Sequence, residues 1–160
     1  MSSVAALAEL DDLAFARVLA DAADRISLEL YQGAELLVVT KPDHTEVSEA
    51  DQAVEDRLRC LLGRHRPEQG VLGEERGAHG SQRVRWVIDP IDATRSFIRG
   101  LDWTGGATLL ALEVDGRVEV AMISAPAMGR RWWALRGQGT FTTGPLDPTP
   151  GRCTSRGLRT

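Results

Sequence analysis

"ATLLALEVDGRVEVAMISA", residues 107 to 125, decides the fold. Two β-rich runs flank Asp115-Gly116, and an Asp-Gly pair suits the two-residue turn of a β-hairpin, where both central positions need positive φ. The pattern predicts two antiparallel strands. Further short strands follow in "RRWWALRG" (130–137) and "GTF" (139–141), and "GVLGEE" (70–75) and "RVRWVID" (83–89) read as strands upstream.

Before position 70 the period is helical. Val4, Leu7, Leu10, Ala14, Leu19, Ala22, Ile26 and Leu30 recur every three to four residues, which gives a helix over about 4–31 one apolar stripe, with Gly33 as its stop. "LLVVT" (36–40) reads as a short buried strand and "KPDHTEV" (41–47) as a loop. Ser48 can cap a second helix, with Asp51 at its third position as a short capping box. Ala50, Val54, Leu58, Leu61 and Leu62 line that helix, which should end between Gly63 and Pro67. The class is α+β: two N-terminal helices packed on a largely antiparallel sheet.

Composition narrows the partners. The chain has 160 residues, 42% hydrophobic and 26% charged, with a net charge of −4. That suffices for one core, and a mildly acidic balance gives no basis for a nucleic-acid partner. Arg83, Arg85, Arg95, Arg99, Arg130 and Arg131 could still form a local positive patch for a small anion. No apolar stretch approaches the roughly 20 residues of a membrane span. Residues 1–25 carry acids early, with no basic region before an apolar run, and do not read as a signal peptide. Cys60 and Cys153 are too few for a disulfide framework or a structural zinc site. A cytoplasmic location is the expectation. "TGPLDPTPGRCTSRGLRT" (143–160) holds three Pro, three Gly and three Arg and lacks large apolar residues other than Leu, so it is expected to be disordered.

The acids form three clusters: Asp43, Glu46, Glu49 and Asp51; Glu74 and Glu75; and Asp89 and Asp92. Solvation or capping accounts for Asp43, Glu46 and Glu49, and for Asp51 taken alone. Glu74 and Asp89 differ, because each ends an apolar run at a strand terminus, where loops carry sites. Pro90 stiffens the turn between Asp89 and Asp92. Two carboxylates so close repel one another unless a proton or a cation lies between them. Oxygen-rich clusters suit hard cations, Mg²⁺ above all where phosphate is bound. The Ile91 carbonyl is a natural extra oxygen ligand, and the Thr94 hydroxyl can orient a water. A helix starting at Thr94 would point free N–H groups at a phosphate. Spacing therefore offers metal-assisted phosphate-ester hydrolysis beside the plainer reading of solvated loop acids.

"GEE" (73–75) followed by "WVIDPIDATRSF" (86–97) resembles the paired signature of the inositol monophosphatase family of Mg²⁺-dependent phosphomonoesterases. "KPDHTEVSEAD" (41–51) is similar to the family's upstream segment, and "APAMGRRWWALRGQGTF" (125–141) is most similar to its bacterial histidinol-phosphatase branch. The resemblance covers about residues 10–141 and implies the N-terminal half of the sugar-phosphatase αβαβα fold, with 1–142 as a metal-binding domain. It implies two or three Mg²⁺ ions, with Mn²⁺ as a substitute, and a small phosphorylated metabolite as substrate. Glu74, Asp89 and the Ile91 carbonyl would hold the first ion, and Asp89 and Asp92 the second. Thr94 paired with Asp51 would activate the attacking water. The N–H groups of Ala93 and Thr94 would hold the phosphate, with Lys41 and Glu75 in the outer shell. Family members commonly dimerise, so a homodimer is a further expectation.

Two departures accompany the resemblance. Ala93 stands where the family usually has glycine, a residue that lets backbone approach phosphate closely. Family members are also longer, and no tryptophan here is followed by the aspartate that completes their second metal site. A truncated chain is therefore expected. The readings that follow are a histidinol-phosphate phosphatase, an inositol-1-phosphate or related sugar or nucleotide phosphatase, and an inactive fragment serving as a binding or regulatory domain through an open sheet edge. Elsewhere, Trp132 and Trp133 are expected to pack on opposite faces of a strand, His44, His65 and His79 to lie at the surface, Arg95 and Arg99 to be solvated, and Cys60 to lie in the core.

Overall fold

Asp115 and Gly116 both have positive φ, 49° and 74°, as the two-residue hairpin turn requires. The turn joins β6 (Ala107–Val114) to β7 (Arg117–Ala125). The structure is a computed structural model and describes residues 7, 9–31, 38–40, 46–92, 94–98, 106–145 and 147–153. Around the hairpin lie β3 (Gly70–Gly73), β4 (Gly77–His79), β5 (Val84–Asp92), β8 (Arg130–Leu135), β9 (Gly139–Gly144) and β10 (Asp147–Arg152). They form one sheet in the order β10-β9-β8-β7-β6-β5-β3-β4. Its pairs are antiparallel except β3 with β5, which run parallel. A separate antiparallel pair joins β1 (Val38–Thr40) to β2 (Glu46–Ser48).

Helices α1 (Asp12–Tyr31) and α2 (Glu49–His65) cover one face of the sheet. Alternation along the strands supplies that face. Register aligns Trp86, Leu112 and Val120 in one cross-strand row and Ile88, Leu110, Met122 and Trp133 in the next, all of them buried. Phe15, Leu19 and Ala23 of α1 and Val54, Leu58 and Leu62 of α2 pack onto these rows. Each large apolar side chain so buried contributes on the order of 1.5–3 kcal/mol. Trp86 keeps its N–H satisfied by donating to Gln69 Oε1 at 2.7 Å. On the opposite face Val118 and Ile123 stay exposed. Trp133 is buried and Trp132 only half-buried, so strand β8 does divide them between its faces.

Several expectations need correction. The stretch expected to be disordered contains β10, which pairs antiparallel with β9 across a register break between Asp147 and Gly151. Low apolar content does not prevent a strand whose stabilisation is backbone pairing to an existing edge. Glu46 and Val47, expected as loop, pair with β1 together with the capping residue Ser48. Cys60 is exposed, because it lies off the stripe that Leu58 and Leu62 bury. His65 is buried, its ring 6.3 Å from that of Phe15 at the end of α2. Among the described arginines of the expected patch, Arg85 pairs with Glu113, Arg83 with Asp115, and Arg131 with Asp21 and Asp24. Gly33, Lys41, Asp43, His44, Ala93 and Arg99 lie outside the described residues, as does the side chain of Arg95. None of the described helices is long and apolar enough to cross a membrane.

Candidate active site

The parallel pair builds the first part of the site. Gly73 stands opposite Ile88, so the next residues lie side by side: Glu74, just past the end of β3, and Asp89, still within β5 and paired with Leu109 of β6. The Glu74 amide donates to the Ile88 carbonyl at 3.2 Å, extending the ladder into the turn. Asp89 is half-buried, with the acidic Glu74 among its neighbours.

Pro90 builds the second part. It has no N–H to give the ladder, and the β5–β6 register breaks here: Asp89 faces Leu109, but Asp92 faces Ala107. The extra residue is a bulge, a device that re-aims side chains beside active sites. Thr108 Oγ1 donates to the Pro90 carbonyl at 2.8 Å and locks the bulge from the neighbouring strand. The Ile91 side chain is buried against Phe97 and Ala50, while Asp92 is exposed.

The third part joins distant segments. Asp51 is buried at the start of α2, and its Oδ2 accepts from the Ser48 amide at 2.8 Å and the Ser48 hydroxyl at 2.5 Å. Its Oδ1 faces Thr94, the first residue of α3 (Thr94–Ile98), at 3.0 Å. Thr94 Oγ1 also lies 3.0 Å from the Ile91 carbonyl, so one hydroxyl proton has two acceptors to choose from. The same aspartate is thus a helix cap and the partner of a threonine across 43 positions.

Electrostatics mark the cluster. Burial first, then the negative charge and hydrogen bond of Glu74, then the charges of Asp92 and Asp51, push Asp89 up to about 7. Its Oδ1 is buried with no hydrogen-bond partner among the described residues. No three His, Cys, Asp or Glu side chains among those residues are gathered as a finished cation cage. The donor set nevertheless fits a hard divalent cation. An orphaned carboxylate oxygen, an adjacent carboxylate and a carbonyl on a stiff bulge offer oxygen ligands only, and a cation would relieve the repulsion that lifts Asp89.

Glu74, Asp89, Ile91, Asp92, Asp51 and Thr94 therefore meet around one end of the β3–β5 pair. Glu75 lies in the turn beside them, its amide donating to Glu55 Oε2 at 2.7 Å. Lys41 and Ala93 lie outside the described residues. Two participants were missed in the sequence. Thr108 shares its strand face with Leu110 and Leu112, and a lone hydroxyl in that alternation was the available signal. Glu55 follows Asp51 by one helical turn, an acid on a buried face.

The sequence profile of the inositol monophosphatase family matches residues 8–158. The chain is 50% identical over 138 residues to a histidinol-phosphatase of Streptomyces coelicolor, covering 83% of this chain and 51% of that protein. It is 48% identical over 135 residues to a histidinol-phosphatase of Mycobacterium tuberculosis, with the same coverage of 83% and 51%. An inositol monophosphatase structure from Zymomonas mobilis superposes with a TM-score of 0.67 at 38% identity, over 84% of this chain and 51% of that one. The chain spans about half the length of these relatives. Family profile, relatives and superposed fold agree, and this chain belongs to the inositol monophosphatase family.

Proposed function

We propose that this chain carries the metal- and water-handling residues of a Mg²⁺-dependent phosphomonoester hydrolase of the histidinol-phosphatase type, with residues 1–142 as its metal-binding unit. The observation that carries the reading is the Thr94–Asp51 contact, 3.0 Å between groups on different elements. It stands beside a carboxyl group whose burial and acidic neighbours raise it to about 7.

In this reading Glu74, Asp89 and the Ile91 carbonyl hold one Mg²⁺, and Asp89 and Asp92 hold a second. Bound there, the cations supply Lewis-acid polarisation of the phosphoryl oxygens and make a bound water acidic. Thr94, donating its own proton to Asp51, keeps its oxygen lone pairs for a proton of the attacking water. The proton then passes through Thr94 to Asp51, which cannot swing away because Ser48 grips its other oxygen. With a cation bound, Asp89 would be held as its carboxylate. Ala93 and Thr94 amides are assigned to the phosphate, and Lys41 and Glu75 to the surroundings. The substrate is a small phosphorylated metabolite, and a homodimer is the proposed assembly.

The test is phosphate release from L-histidinol phosphate by this chain, with and without Mg²⁺. Release that needs Mg²⁺ and falls at least about a hundredfold in Thr94→Val supports the reading, the size expected for a lost proton-transfer group. Release indifferent to Mg²⁺ or to Thr94 overturns it. Inositol 1-phosphate run in parallel separates the two substrates.

A further inference from the structure

Asp51 and Glu55 stand one turn apart on α2 and both face the site, yet the chemistry proposed above uses only Asp51. Glu55 is fully buried. A buried carboxylate is costly unless paired and hydrogen-bonded, and Glu55 meets both needs. Arg59 Nε donates to its Oε1 at 2.8 Å, the Glu75 amide donates to Oε2 at 2.7 Å, and the Arg76 amide donates to Oε1 at 3.0 Å. The two amides belong to the turn that begins at Glu74. Arg59 reaches past Glu55 and donates to the Gly77 carbonyl, closing the far end of that turn. Gly73 completes the arrangement, since a Cβ there would stand 2.1 Å from Glu55 Oε1.

We infer that Glu55 is a positioning residue for Glu74. By accepting from the Glu75 and Arg76 amides it fixes the backbone of the β3–β4 turn, and with it the place of the Glu74 carboxylate beside Asp89. The inference rests on the reading of Glu74 as a cation ligand. Groups that orient metal ligands commonly contribute roughly 10–100-fold to affinity. Holding the turn before the cation arrives is the source of such a gain, because the ordering is already complete.

The test is a Mn²⁺ titration followed by electron paramagnetic resonance, combined with amide hydrogen exchange, on the unaltered chain, Glu55→Gln and Glu55→Asp. In the metal-free unaltered chain the Glu75 and Arg76 amides should already be protected. Both variants should expose those amides and weaken Mn²⁺ roughly tenfold or more, while amides of β6 and β7 keep their protection. Glu55→Asp retains the charge but is one methylene short. Unaltered affinity in that variant would mean that charge, not position, is what matters, and would overturn the inference. Unaltered affinity in Glu55→Gln with the turn amides released would do the same. If neither variant folds, exchange in the unaltered metal-free chain decides: protected turn amides support the inference and unprotected ones overturn it. No Mn²⁺ binding by the unaltered chain is a different result, which removes the parent reading of Glu74 and this inference with it.

Discussion

Asp89 is the residue on which pH acts most directly. Its folded value, about 7, lies above the ordinary 3.8 because burial and the acids around it disfavour its charge. Between those values the metal-free folded chain holds a proton that the unfolded chain has lost. The group's contribution to stability is therefore full below about pH 4 and is lost as pH rises to about 7, beyond which it is level. Half-exposure screens part of the effect. Metal-free Asp89→Asn should gain in melting temperature relative to the unaltered chain as pH rises across that window; parallel melting curves would show the carboxyl is not raised. At this scale the sequence was highly legible where chemistry and spacing coincide. Asp89, Asp92, Glu74 and Thr94 could be singled out as residues, and Asp51 as a cap. The second duty of Asp51 was not legible from spacing, because its partner lies 43 positions away. His65 and Cys60 were misread because local polarity does not report which side of a helix faces the core.

Among the elements, the bulge in β5 does most to shape the site. Its lock is the Thr108 hydroxyl on the Pro90 carbonyl, both of them buried. Thr108→Val keeps the shape and removes the donor, leaving a buried carbonyl unsatisfied. The expected cost is about 1–3 kcal/mol, read by urea unfolding, with weaker Mg²⁺ binding as Asp89 and Asp92 lose their fixed spacing. A loss of stability with metal affinity intact would separate the bulge from the site. The hairpin was legible because Asp-Gly between apolar runs has few other uses. The helix cap was legible for a similar reason: Ser48 and Asp51 satisfy one another at a fixed offset. Strand β10 was not legible, since its stabilisation comes from the edge of β9 rather than from its own side chains.

For the whole molecule, the cluster draws on four segments: the end of β3, the bulge of β5, the start of α2 and the start of α3. A cation held between them prefers the folded state and should raise the melting temperature. At a hundredfold excess over the dissociation constant the gain is roughly 2.7 kcal/mol, or about 5–10 °C for a chain of this size. Differential scanning calorimetry with Mg²⁺ checks it, and Asp89→Asn should abolish the rise. The α+β class and the packing of helices on one sheet face followed from periodicity. The parallel pairing of β3 with β5 did not, because alternation tells a strand which side faces the core but not which way it runs relative to a neighbour. That one pairing has a practical corollary. The excursion between the two strands ends in exposed Gln82 and Arg83, away from the ladder that aligns Glu74 with Asp89. Extra length there alters neither strand's alignment, which makes it the natural splice point for a fluorescent reporter that watches ion loading from outside.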